Sequence, residues 1–106
     1  MAKSFVDSKI QVGKVTVFLK PSCPFCVRAE GLLKKYNFLP GHLQIIDISR
    51  HELMSDIQDY LLQLTGERTV PRIFIGEKCV GGCSNVTELE KSGQLQPMIQ
   101  EIGALQ

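Results

Sequence analysis

Val15-Thr16-Val17-Phe18-Leu19-Lys20-Pro21-Ser22-Cys23-Pro24-Phe25-Cys26 is the stretch that decides how this chain is read. Its first half is an almost unbroken apolar run from Lys14 to Lys20, as expected of a strand covered on both faces of a parallel sheet. Pro21-Ser22 ends that strand, and helical spacing begins at Pro24. Two cysteines three residues apart therefore fall on a strand-to-helix junction. Cys23 sits where unpaired backbone N–H groups and the positive end of a helix dipole favour a thiolate. Pro24 suits the first helical turn because it has no N–H to leave unpaired there. Cys26 lies one helical turn away, within reach of a disulfide to Cys23. Lys20 adds a second positive charge. A zinc half-site or two inert cysteines are the competing readings of the motif taken alone.

Working outward, Ser4-Phe5-Val6-Asp7 predicts a short helix capped by Ser4, with Phe5, Val6 and Ile10 as a partial apolar face and Gly13 as its stop. A helix runs from Pro24 to about Tyr36, with Ala29, Leu32, Leu33 and Tyr36 on one face. Gly31 is a mild defect within it. Asn37 to His42 is a loop, and Leu43 to Ile48 a second strand, parallel to the first through a right-handed helical crossover. Ser49 and Glu52 predict a capping box for a helix with the stripe Leu53, Ile57, Tyr60, Leu61 and Leu64, closed by Gly66. Then follow a loop over 67–71, a strand Arg72–Ile75, a turn at Gly76-Glu77 and an antiparallel strand Lys78–Val80. Asn85 and Glu88 bracket a further capping box, and Leu95, Met98, Ile99 and Ile102 mark a last helix. Helix, βαβ, helix, ββ and helices together predict an α/β fold with a four-stranded mixed sheet flanked by helices on both faces.

The chain has 106 residues, with 12 basic and 11 acidic side chains and a net charge of +1. That length predicts one domain over 1–106. The even charge implies neither a nucleic-acid nor a membrane-surface partner, and no apolar stretch approaches the roughly 20 residues of a membrane span. Met1-Ala2-Lys3-Ser4 opens no signal-peptide core, so a cytoplasmic location is expected. Four cysteines in such a chain read as reactive or metal-binding more readily than as a structural disulfide framework.

Three motifs, Cys23-Pro24-Phe25-Cys26, Thr69-Val70-Pro71 and Gly81-Gly82-Cys83-Ser84, stand in the order and spacing of a glutaredoxin. From Phe5 to Gln106 the chain resembles the vertebrate cytosolic dithiol type, with Phe25 where many members carry Tyr. The Trp-Cys-Gly-Pro-Cys signature of thioredoxin itself cannot occur in a chain without Trp. The resemblance implies a thioredoxin fold and a glutathione-dependent thiol–disulfide oxidoreductase with Cys23 as nucleophile and Cys26 as resolving thiol. It implies a cis bond before Pro71 and a glutathione groove of Lys20, Gln58, Arg68, Thr69, Val70, Pro71, Gly82, Ser84 and Asn85, the last being Asp in close relatives. Lys20 and Arg68 are expected to meet the glycine carboxylate, and the helix start near Ser84 and Asn85 the other one. Glutathione is the expected co-substrate, glutathionylated or disulfide-containing proteins the partners, and a monomer without metal the expected state. The rival class is an iron–sulfur carrier, a use that some glutaredoxins make of two monomers.

A thiol lowered from about 8.5 to about 5 gains roughly 30-fold in thiolate at pH 7 and loses roughly 25- to 55-fold in intrinsic nucleophilicity. Attack therefore gains almost nothing, and the benefit of a depressed pKa falls on the step in which that sulfur leaves. Cys79 and Cys83, spaced across two glycines, are open to three readings: free thiols, a secondary redox pair, or zinc ligands with Cys23 and Cys26. Free thiols are the default in a reducing compartment.

Overall fold

A computed structural model describes residues 1–106. The elements are α1 (Ala2–Lys9), β1 (Val15–Leu19), α2 (Pro24–Leu33), β2 (Leu43–Asp47), α3 (Met54–Thr65), β3 (Arg72–Ile75), β4 (Lys78–Gly81), α4 (Cys83–Lys91) and α5 (Leu95–Glu101). The strands form one sheet in the order β2-β1-β3-β4. β1 and β2 run parallel, with Val15 opposite Leu43 and Leu19 opposite Asp47. β3 is antiparallel to both β1 and β4. This is the thioredoxin architecture, with α2 as the crossover between the parallel strands.

Alternation along the central strands explains how a short sheet supports two cores. Val15, Val17, Leu19, Ile73 and Ile75 face one way and pack with Ala29 and Leu33 of α2, Val86 of α4 and Leu95 and Ile99 of α5. Phe18 and Phe74 face the other way and pack with Val6 of α1 and Ile57 and Leu61 of α3. Their rings meet edge to face at 6.0 Å, an arrangement the aromatic quadrupole favours. Thr16, the polar residue in β1, is completely buried but donates its hydroxyl to the Lys9 carbonyl. That bond removes the cost of burying it.

The strands lie where the apolar runs placed them, while the helix starts differ. Ser4 is inside α1, whose cap is Met1 without a side-chain bond. The Ser49–Glu52 capping box does not form. Ser49 turns back onto Asp47, both its N–H and its hydroxyl donating to Asp47 Oδ1 at 2.8 and 2.6 Å. His51 Nδ1 accepts the Leu53 N–H, so α3 starts at Met54. A turn through Asp47 competes here with the helix and wins, because Asp and Ser side chains offer the backbone its local bonds. Leu64 is exposed, so the buried stripe of α3 ends at Leu61. α2 ends at Leu33, and Tyr36, in the turn beyond it, donates its hydroxyl to Glu90. Gly66 closes α3 in the left-handed region, with φ +86°.

Candidate active site

Cys23 is the N-cap of α2, in extended backbone at φ −91° and ψ 117°, with Pro24 in the first turn. Its Sγ accepts the Cys26 N–H at 3.3 Å, doing with sulfur what a Ser or Asp oxygen does at other helix starts. Cys23 is half-buried, whereas Cys26 is sealed beneath it. Across the site the Val70–Pro71 bond is cis, and Cys23 Sγ lies 3.8 Å from the Val70 carbonyl. The Val70 N–H has no partner within the protein.

The two thiols are driven apart in acidity. Burial opposes ionisation of Cys23, but the Cys26 thiol, the backbone N–H groups of Cys26 and Phe25 and the charge of Lys20 together hold it below the ordinary thiol value. Burial pushes Cys26 up to about 12, and its hydrogen bond to the Cys23 sulfur adds to that. One thiol is thus made easier to ionise, and its neighbour is kept protonated beside it. The helix start contributes as the sequence suggests. The Cys26 thiol stands ahead of it, and Lys20 comes last.

Beside Cys23 opens a cleft of about 400 Å³ between the loop before β3 and the start of α4. Of the nine residues expected in the groove, Thr69, Val70, Pro71, Gly82, Ser84 and Asn85 line it. Lys20, Gln58 and Arg68 do not. Gln58 is buried and donates to the Arg68 carbonyl at 3.1 Å, so it fixes the loop from behind. The Arg68 side chain lies along α3, with Nε on Asp59 at 2.8 Å and Nη2 on the Ser55 hydroxyl at 2.8 Å. Asn85 is not the cap of α4. It occupies the third helical position and accepts the Gly82 N–H at 3.0 Å, leaving Gly82 as cap. Gly81, at φ +110°, has no room for a Cβ because the Asn85 side chain occupies that space.

Phe25, Glu67, Arg72 and Cys83 also line the cleft, and none was singled out from the sequence for it. Phe25 is 58% exposed, an apolar lip on the first turn of α2. A charged residue opening an otherwise apolar central strand was the available signal for Arg72. Cys79 and Cys83 are not brought together. Cys79 packs on the Phe18–Phe74 side of the sheet, and Cys83 is buried on the α2 side beside Cys26. Both are free thiols. No three His, Cys, Asp or Glu side chains are grouped as a metal ion needs.

An N-capping thiol of lowered pKa over a buried thiol, opposite a cis-proline loop, defines a dithiol exchange protein of the thioredoxin class. The chain belongs to the glutaredoxin family, whose model matches residues 15–80. It is 52% identical to human glutaredoxin-1 over 106 residues, covering 100% of both chains. It is 53% identical to the chicken (Gallus gallus) glutaredoxin-1 over 105 residues, 99% of each. Among solved structures, the buckwheat glutaredoxin–glutathione complex superposes with a TM-score of 0.91 at 36% identity, over 100% of this chain and 94% of that one. No helix is long and apolar enough to cross a membrane.

Proposed function

We propose that this protein is a glutathione-dependent thiol–disulfide oxidoreductase acting on protein and small disulfides and on glutathionylated proteins. The single observation that carries the reading is the pairing of a half-buried N-capping Cys23 with a buried, protonated Cys26 beside the cleft. The Cys23 thiolate attacks the glutathione sulfur of a protein mixed disulfide. The S–S bond breaks, and the protein sulfur leaves and takes up a proton. A second glutathione thiolate then attacks the Cys23–glutathione disulfide, releasing glutathione disulfide and restoring the Cys23 thiolate. In the alternative branch Cys26 gives up its proton and expels glutathione, forming a Cys23–Cys26 disulfide that two glutathiones later reduce.

Glutathione lies extended against Val70, whose N–H and carbonyl accept it as a sheet edge accepts a strand. The first N–H groups of α4, from Cys83 to Asn85, have no partners within the protein and receive one of its carboxylates. Lys20 supplies positive charge near Cys23 from outside the cleft. Arg68 and Gln58 hold the loop in shape and do not themselves grip the ligand. Residues 1–106 act as one domain and one monomer in the cytoplasm, with glutathionylated and disulfide-containing proteins as partners.

The test is turnover of a glutathionylated peptide coupled to glutathione reductase. Cys23→Ser abolishes it. Cys26→Ser retains it, because free glutathione resolves the Cys23 mixed disulfide. Equal loss in the two variants would overturn the assigned roles.

A further inference from the structure

The cleft contains one cation, and it is not an arginine that the glutaredoxin resemblance marks. Arg72 opens β3 immediately after the cis proline and is 5% exposed. Its Nε donates to the Pro71 carbonyl at 3.3 Å. Its nearest counter-ion is Glu67, at 3.6 Å from Nη2, beyond hydrogen-bond length and with 64% of its own side chain in solvent. The Nη hydrogens therefore make no hydrogen bond in the protein. Yet no buried nitrogen is left without a partner, so those hydrogens open onto the cleft, where Arg72 is among the lining residues. A buried guanidinium normally has its donors filled; this one is held with donors to spare.

Its position says what would fill them. Nη2 lies 3.0 Å from where a Cβ on Gly82 would sit, so the guanidinium packs directly under the cap of α4. The unpartnered N–H groups at the start of that helix face the same space. Two independent sources of positive potential thus converge there, a full charge and a helix N-terminus.

We infer that Arg72 is the anion anchor of the cleft, gripping the carboxylate that docks at the start of α4, and that Glu67 is its tethered competitor. The ligand is the γ-glutamyl end of glutathione, whose α-carboxylate reaches Arg72 and the α4 N–H groups together, so the inference rests on the glutathione reading above. In the free protein the Glu67 carboxylate neutralises Arg72 loosely from the solvent side. The ligand's carboxylate replaces it with hydrogen-bonded contact. Glu67 therefore sets how tightly the site holds glutathione, and Arg72 sets which end it recognises.

Steady-state kinetics on three mixed disulfides of one peptide test this: with glutathione, with γ-glutamylcysteine, and with cysteinylglycine, which lacks the γ-glutamyl carboxylate. Glu67→Gln lowers KM for the first two about two- to fivefold, the range of a solvent-screened ion pair, and the gain shrinks at high salt. Arg72→Gln raises KM for the same two about tenfold or more, as loss of hydrogen bonds to a charged group requires. It narrows the ratio of either to cysteinylglycine, the discrimination left being that of the α4 N–H groups. Arg72→Lys restores part of the discrimination, and in Arg72→Gln the effect of Glu67→Gln disappears. If Arg72→Gln does not fold, as thermal unfolding will report, Arg72→Lys and Glu67→Gln still decide. The inference is overturned if Glu67→Gln leaves KM unchanged, or if Arg72 substitution affects all three substrates alike. If the wild-type protein itself turns over none of them, the oxidoreductase reading fails instead.

Discussion

Replacing Cys26 by alanine removes a thiol that the structure uses as a hydrogen-bond donor to the Cys23 sulfur. Cys26→Ser keeps a donor in the same place. The two variants are alike in lacking a resolving thiol and differ in that one bond. A hydrogen bond to a charged acceptor contributes roughly 1.5–3 kcal/mol, and a thiol is a weak donor, so the lower end applies. About 1.4 kcal/mol is a factor of ten in the ionisation equilibrium. At a pH below its midpoint, Cys23 in Cys26→Ala should hold about tenfold less thiolate than the wild type. The N–H groups of Cys26 and Phe25 remain in Cys26→Ala, so the thiol stays more acidic than an ordinary one. Cys26→Ser should follow the wild-type profile closely. The assay is the rate of alkylation by iodoacetamide across pH, with the thiolate absorbance near 240 nm read in parallel. Since the thiolate is the reacting form, the rate rises with pH through the Cys23 pKa in every variant. Coincident curves for the two variants would refute the account, because they would mean that the Cys26 thiol donates nothing to Cys23.

Lys20→Gln moves the same alkylation profile upward by less than Cys26→Ala does, since Lys20 is the weakest of the influences lowering Cys23. The wild-type difference also narrows with salt. Chemical denaturation of the reduced protein should show stability falling from about pH 9 upward. Cys26 and Tyr36, raised from 9.0 and 10.0 to about 12, keep protons there that the unfolded chain has released. The slope is about 1.4 kcal/mol per pH unit from Cys26 above pH 9 and as much again from Tyr36 above pH 10, and Tyr36→Phe removes the second share. Asn85→Asp strengthens the bond to the Gly82 N–H and places a charge in the first turn of α4, adding about 0.3–1 kcal/mol in urea unfolding. It improves KM for glutathionylated substrate a few-fold at most, through an exposed charge contact with the ammonium of the γ-glutamyl end. A loss of stability would contradict the bond's placement. Gly31→Ala, in an exposed helical position with open space around the added carbon, stabilises by about 0.5–1 kcal/mol.

The sheet was legible because apolar runs such as 15–19 and 72–75 have few other uses in a short chain. The position of Cys23 was legible because proline and the strand end fix the helix start to one residue. Caps were less so. Ser4, Ser49 and Asn85 all belong to types that cap helices, but each has several local partners, and distance in space chooses among them. The groove was half legible for a related reason. Arg68 and Arg72 are four residues apart, and nothing in the sequence says which side chain turns into the cleft. That is settled by Asp59 and Ser55, which draw Arg68 onto α3, and by Gly82, which leaves space for Arg72 beneath the cap of α4. Gln58 carries no sequence mark of its bond to the Arg68 carbonyl, which turns it from the groove to the back of the loop. Cys79 and Cys83 are close along the chain, but the sheet runs between them.

The lashing of the 67–71 loop to α3 has a consequence for the whole molecule. Cys23 stands on a helix that belongs to one core, and the loop opposite it is tied by Gln58 and Arg68 to a helix rooted in the other. The site is therefore a seam between two halves, owned by neither. Loosening α1 or α3, on the side of the sheet away from the thiols, opens the seam without touching a residue that meets the substrate. Damage far from Cys23 then registers as weaker grip on glutathione before the rest of the fold gives way, in keeping with the uneven local stability of small domains.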